Sequence, residues 1–134
     1  MAVNQSVYAY IVEEKTYPEG AVIIHEGARN DWVYVILEGN VKIRKRAPRG
    51  EVTLTLLKEG AIIGEMAFLS GSGTTRSVSV VAVNGPVRVG VLDIEHLRRD
   101  YETVSPRMRN LISALVKRLY SANEKVCDLV LREE

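Results

Sequence analysis

The sequence predicts a mainly β domain with helices added at its end. The expected core is a sandwich or barrel of short strands, to which a double-wound roll fits, followed by a short helix and a long one. Three observations carry this prediction. Between Tyr8 and Asp93, runs rich in Val, Ile, Thr and aromatic residues recur at short spacing between turn residues. After Asp93 the pattern takes a helical period, and no Gly or Pro interrupts the stretch from Arg107 to Leu131. The 134 residues, 46% hydrophobic and 26% charged, suit one globular domain and are too few for two.

Taken in order, the start is open between two forms: Tyr8, Tyr10 and Val12 alternate as a strand does, and a short helix fits nearly as well. The β runs are residues 21–24, 32–37, 41–46, 52–57, 77–83 and 87–92. Pro18, Gly20, Gly27, Gly39-Asn40, Pro48 with Gly50, Gly60 and Asn84-Gly85-Pro86 punctuate them as turns. The roll is therefore expected over about residues 8–93 of a single domain spanning 1–134, with no internal repeat.

Residues 94–101 carry Glu95, Arg98 and Arg99 around Leu97, as a short amphipathic helix does. Ser105-Pro106 is a helix start, serine at the N-cap and proline at the first helical position, and the long helix is expected over 105–131. Within it Met108, Ile112, Leu115, Leu119, Ala122, Val126 and Leu129 are spaced alternately four and three apart, the pattern of a coiled-coil seam. Such a seam needs a cover. Either it packs on its own roll, or a second stripe, Leu111 with Val116, does so and leaves the seam for a parallel homodimer; the second arrangement is the expectation.

Residues 64–77 read Gly-Glu-Met-Ala-Phe-Leu-Ser-Gly-Ser-Gly-Thr-Thr-Arg-Ser between two β runs. Amides at the start of a short helix attract an anion, and an arginine fork adds charge and two-point geometry to the same group. The ionised carboxylate of Glu65, an acceptor only, suits a sugar hydroxyl and would repel a phosphate. The segment reads as a site for a sugar phosphate. The competing reading, a surface ion pair of Glu65 with Arg76, is worth little in stability.

This order of residues resembles the phosphate-binding cassette of cyclic nucleotide-binding domains. The chain is similar to that family through Tyr17-Pro18, Ile23-Ile24-His25-Glu26-Gly27, residues 33–39 (Val-Tyr-Val-Ile-Leu-Glu-Gly) and residues 60–65 (Gly-Ala-Ile-Ile-Gly-Glu). The closest likeness is to the regulatory half of bacterial cyclic AMP receptor proteins. The resemblance implies a double-stranded, jelly-roll-like β-roll with flanking short helices and a long C-terminal dimerisation helix. It also implies that Glu65 binds the ribose 2′-hydroxyl, that Arg76 and Ser77 bind the cyclic phosphate, and that amides at Gly64, Glu65, Met66 and Ala67 complete the cradle. Ile24, Ile43, Leu54 and Ile63 match apolar pocket positions and Thr55 a small polar one, but as inward strand residues each reads first as plain core rather than as a base-reader. In the long helix, Arg118 matches a ligand-side arginine, while Ala122 and Asn123 stand where receptors preferring cyclic AMP carry a hydroxyl pair. Ala122 has no polar group and Asn123 offers both a donor and an acceptor, so cyclic AMP and cyclic GMP both remain as ligands. The loop from Ser70 to Thr75 is about one or two residues longer than in the family, a length that a flexible loop absorbs.

Other functions have little to stand on. His25 and His96 are far apart and form no His-x-His pair, which counts against a cupin-like metal enzyme. His25 is expected beside its strand and His96 in solvent. Cys127, the single cysteine, is read as inert, and no catalytic constellation or cofactor is expected. Lys42, Arg44, Lys45, Arg46 and Arg49 are read as a solvated edge, and the net charge of +1 gives no push toward DNA or anionic lipid. No apolar run is long enough to span a bilayer, the first residues lack a signal peptide's charged and apolar regions, and one cysteine forms no internal disulfide, so the cytoplasm is the expected setting. The chain ends about where its long helix ends, so no helix-turn-helix domain is expected to follow. Output is expected through a separate protein, or the chain is a stand-alone or excised module. The alternative function is a docking or assembly module whose cassette binds no nucleotide.

Overall fold

A computed structural model describes residues 5–28, 32–69, 76 and 78–132. A 3₁₀ helix over Gln5–Tyr10 leads into six strands: β1 (Ile11–Tyr17), β2 (Val22–Ile24), β3 (Tyr34–Ala47), β4 (Gly50–Lys58), β5 (Ile62–Ile63) and β6 (Ser79–Leu92). Helix α1 (Glu65–Leu69) precedes β6, and α2 (Ile94–Glu102) and α3 (Pro106–Arg132) follow it. At the start Tyr8 and Tyr10 lie in the helix, so the strand reading fails for them, and only Val12 of the three lies in a strand. Every strand pairing is antiparallel, in the order β1-β6-β3-β4, with β2 added to β6 and β5 to β3. This is a β-roll with flanking helices and a long C-terminal helix, as the sequence predicts.

Two long strands form the spine. β3 and β6 pair from Tyr34↔Val91 to Arg44↔Ser79, and the register shifts between Glu38 and Asn40. The sequence marks Gly39-Asn40 and Asn84-Gly85-Pro86 as turns between separate strands, but each lies inside a continuous strand. Positive φ at Gly39 (101°), Asn84 (59°) and Gly85 (112°) kinks the strands without ending them, as bulge residues do. Gly39 has no substitute, since a Cβ there would lie 2.7 Å from the Pro86 carbonyl oxygen. Strand β1 was not among the runs marked in the sequence. Most of its residues are exposed or half-buried, so Ile-Val-Glu-Glu-Lys-Thr-Tyr carries no clean alternation.

The roll's interior is built from Ile23, Ile24, Tyr34, Ile36, Val41, Ile63, Val80, Ala82, Val87, Val89 and Val91. A second cluster, Val33, Val35 and Leu92, faces the other way and packs against the 3₁₀ helix, α1 and α2 through Tyr8, Tyr10, Phe68 and Leu97. These two layers fix the sheet that carries the site. Buried aliphatic side chains contribute about 1.5–3 kcal/mol each.

Helix ends follow the sequence signals. Asp93 Oδ1 accepts from the amides of Glu95 (3.1 Å) and His96 (3.3 Å) at the start of α2. Ser105 Oγ accepts from the Met108 amide at 3.2 Å, ahead of Pro106. On α3, Val116 and Cys127 are buried and Ile112, Tyr120 and Asn123 half-buried, a stripe with helical spacing. Leu111 does not join Val116 in it: five residues turn the helix by about 140°, and Leu111 is 55% exposed. The seam residues Met108, Leu115, Leu119, Ala122, Val126 and Leu129 are exposed and Ile112 half-buried, so that stripe is not covered by its own roll.

Two polar expectations change. Lys45, read as part of a solvated edge, is 9% exposed, because α3 lies over it and brings Glu124 Oε1 to 3.1 Å from its Nζ. His25, read as packed beside its strand, is exposed. His96 is exposed, with its Nε2 3.6 Å from Asp100. No helix among the described residues is long and apolar enough to cross a membrane.

Candidate functional site

The turn after β5 is determined by Gly64. Its φ of +89° is open to glycine, and a Cβ there would lie 2.5 Å from the Trp32 carbonyl oxygen and 3.0 Å from Arg76 Nη1. The chain then enters α1 at Glu65, with Ala67 buried beneath it. Arg76 is held by its own backbone: its amide donates to the Ala28 carbonyl at 2.8 Å, and its carbonyl accepts from the Gly27 amide at 2.8 Å. From there the guanidinium runs back under the turn. Nη1 donates to the Gly64 carbonyl at 2.9 Å and Nη2 to the Trp32 carbonyl. At 3% exposure Arg76 is buried, which is not the surface setting of the competing reading.

Arg76 lines a cavity of about 190 Å³. Its walls are Ile24, Ile43, Leu54, Leu57, Ile63 and Val80 from the strands, and its polar groups come from Thr55, Glu65, Arg76 and Asn123. Gly64, Met66 and Ala67 line it as well, and Leu119 and Asn123 bring α3 to the cavity. An apolar chamber with a few convergent polar groups is the usual form of a small-ligand site.

Burial pushes the Glu65 carboxyl above its ordinary range, against the opposing pull of its backbone hydrogen bond and of the Arg76 charge. Burial likewise pushes the neighbouring core phenol of Tyr34 up to about 12, so it stays a neutral group. The Cys127 thiol is raised by burial as well, in keeping with a structural cysteine. Among the described residues no group of three or more His, Cys, Asp or Glu side chains is placed to hold a metal ion.

Of the residues marked in the sequence, Gly64, Glu65, Met66, Ala67, Thr55, Arg76 and Asn123 line one cavity, with Ile24, Ile43, Leu54 and Ile63. Arg118 is exposed on α3 and is not among the lining residues. Ser77 and the loop 70–75 lie outside the described residues. Sequence reasoning missed Leu57, Ile62, Val78 and Val80 in the wall, which read as ordinary strand residues, and gave Leu119 only to the seam. It also missed Trp32, whose part is played by a carbonyl group that every residue possesses.

A β-roll with an arginine buried over a glycine-led turn, facing a helix across an apolar chamber, defines a class of small-ligand regulatory domain. A family profile described as the cyclic nucleotide-binding domain matches residues 14–103, and the chain belongs to that family. The CRP-like cAMP-activated global transcriptional regulator of Mycobacterium tuberculosis is 29% identical over 118 residues, covering 87% of this chain and 51% of that protein. The cyclic AMP receptor protein of Thermus thermophilus is 31% identical over 127 residues, covering 91% of this chain and 55% of that protein. The chain thus spans about half the length of these curated relatives. Among solved structures, the EAL enzyme Bd1971 in its cAMP and cyclic-di-GMP bound form superposes with a TM-score of 0.77 at 29% identity, covering 91% of this chain and 32% of that one. Its cGMP bound form gives a TM-score of 0.73 at 30% identity, covering 81% and 28%.

Proposed function

We propose that this chain is a non-enzymatic, cytoplasmic sensor domain that binds cyclic AMP or cyclic GMP in the cavity and transmits binding through α3. The observation that carries the reading is the gathering of Gly64, Glu65 and Arg76 with Leu119 and Asn123 of α3 around one apolar chamber. The cyclic phosphate is taken by Arg76, with Ser77 and the amides from Gly64 to Ala67. The ribose hydroxyl donates to Glu65. The base lies along Ile43, Leu54 and Thr55 toward Asn123, whose amide meets either purine edge. That relatives are named for cyclic AMP, and that one fold neighbour is described with each nucleotide, supports the ligand class and leaves the base open.

Transmission is a population shift: ligand touching both the turn and α3 favours the arrangement in which the two are close. The exposed seam of α3 is read as the surface of a parallel homodimer whose helix angle a separate output protein reads. Sedimentation velocity at micromolar concentration checks the dimer, and a monomer mass would contradict it. For the ligand, either nucleotide at a hundred times its dissociation constant should stabilise the fold by about 2.7 kcal/mol in a thermal shift.

One observation favours a second reading. The guanidinium of Arg76 already bonds two backbone carbonyls, as a purely structural arginine does. A docking module that binds no nucleotide would keep this arrangement, and an unmoved melting temperature with both nucleotides at millimolar concentration would select it.

A further inference from the structure

A line of polar contacts connects the Arg76 segment to α3 through Glu26, Lys45 and Glu124, none of which is among the residues lining the cavity. It begins at the Arg76 backbone, which exchanges hydrogen bonds with Gly27 and Ala28 at 2.8 Å each. The preceding residue, Glu26, is fixed by its amide, which donates to Ser79 Oγ at 2.9 Å, and by its Oε1, which accepts from the Arg46 amide at 2.8 Å. Its Oε2 lies 3.9 Å from Lys45 Nζ, and Lys45 Nζ lies 3.1 Å from Glu124 Oε1 on α3. Glu124 adjoins Asn123, which lines the cavity, and stands three residues before Cys127, buried with Val52 against Ala47 and Leu54.

The placement of Lys45 is what gives this line meaning. A lysine whose side chain is 11% exposed needs an anionic partner for its charge. The helix that shields Lys45 also supplies its nearer partner, so docking of α3 and neutralisation of Lys45 occur together. The other carboxylate, Glu26, is tied to the segment that positions Arg76. A displacement of that segment alters the Glu26–Lys45 separation and hence the balance between docked and undocked α3.

We infer that Glu26, Lys45 and Glu124 form a strap that couples the Arg76 segment to α3 and holds Asn123 at the cavity, with Lys45 as its positioning residue. The inference deepens the nucleotide reading and rests on it. It assigns part of the communication to these three side chains, alongside the direct packing of α1 against α3.

Cys127, the only cysteine, reports on the docking. Its alkylation by N-ethylmaleimide in the native protein is to be timed with and without saturating cyclic AMP or cyclic GMP, alongside nucleotide affinity by calorimetry. In the unmodified protein, nucleotide should slow labelling by about fivefold or more, the scale of ordinary coupling between sites. Lys45→Met and Glu124→Gln should each bring the bound-to-free labelling ratio toward one and weaken nucleotide binding by a matching factor, because linkage is reciprocal. The double variant should lose no more than either single one, and Lys45→Arg should restore the ratio. A structural role alone would speed labelling in both states and leave the ratio unchanged. Glu124 is largely exposed, so its variant keeps the test valid should Lys45→Met fold poorly. Normal binding and an unchanged ratio in Glu124→Gln would overturn the strap and leave the nucleotide reading standing. Absence of binding in the unmodified protein would overturn both.

Discussion

The turn at Gly64 and helix α3, both of which line the cavity, are built on opposite terms. At the turn, Gly64, Trp32 and Arg76 interlock through main-chain groups, and Arg76 is 3% exposed. At α3, Leu119 lines the cavity while 46% exposed, and the helix docks through a narrow stripe around Val116 and Cys127. The first has one arrangement open to it. The second is held by few buried groups, which is the expected character of an element that moves in response to a ligand. Main-chain interlocking at the turn and light packing at α3 thus meet around one chamber.

Substitutions at the two elements should differ accordingly. The largest effect is expected for Gly64→Ala, where positive φ and a 2.5 Å approach to the Trp32 carbonyl act together. Urea denaturation should report a loss on the order of 3 kcal/mol, and nucleotide binding should go with it. A tolerated alanine would show that the turn is less tightly fixed than its contacts indicate.

On α3, Asn123→Ala should leave stability within about 0.5 kcal/mol. It should weaken nucleotide binding by roughly 1 kcal/mol, about fivefold, with unequal losses for cyclic AMP and cyclic GMP. Equal and negligible losses in competition binding would remove Asn123 from base recognition.

The smallest effect is a pH dependence from Glu65. Burial raises its folded value above the ordinary carboxylate range. Its contribution to stability is therefore fullest below that ordinary range and is lost as pH rises through the folded value. Binding has the opposite sign, because a ribose hydroxyl donates to the ionised form: affinity should rise with pH through the same value and then level. Glu65→Gln should flatten both profiles when melting and calorimetry are run from pH 5 to 8. A binding profile that falls with rising pH in the unmodified protein would contradict the assigned role.

Much of this contrast was legible in the sequence, and what was not has local causes. Glycine-led turns and the Glu-Arg spacing identify the turn because few residues satisfy a positive φ and a buried fork. Gly39 and Asn84-Gly85 misled because a residue with positive φ serves a bulge as well as a turn, and only the partner strand tells the two apart. Strand β1 lacks the apolar alternation that marks a half-buried strand. Lys45 was unreadable because its burial is made by α3, some eighty residues further along the chain. The packing stripe of α3 was drawn one position wrong at Leu111, an error that helical geometry corrects. Trp32 enters through its carbonyl, and main-chain groups leave no signature in a sequence.

The central claim is that Arg76 is the anchor of a cyclic phosphate. Calorimetric titration of the unmodified protein and of Arg76→Leu with cyclic AMP and cyclic GMP tests it directly. Hydrogen bonds to charged groups contribute roughly 1.5–3 kcal/mol, so the variant should lose at least about tenfold in affinity for whichever nucleotide binds. Equal affinity in a folded Arg76→Leu protein would contradict the account.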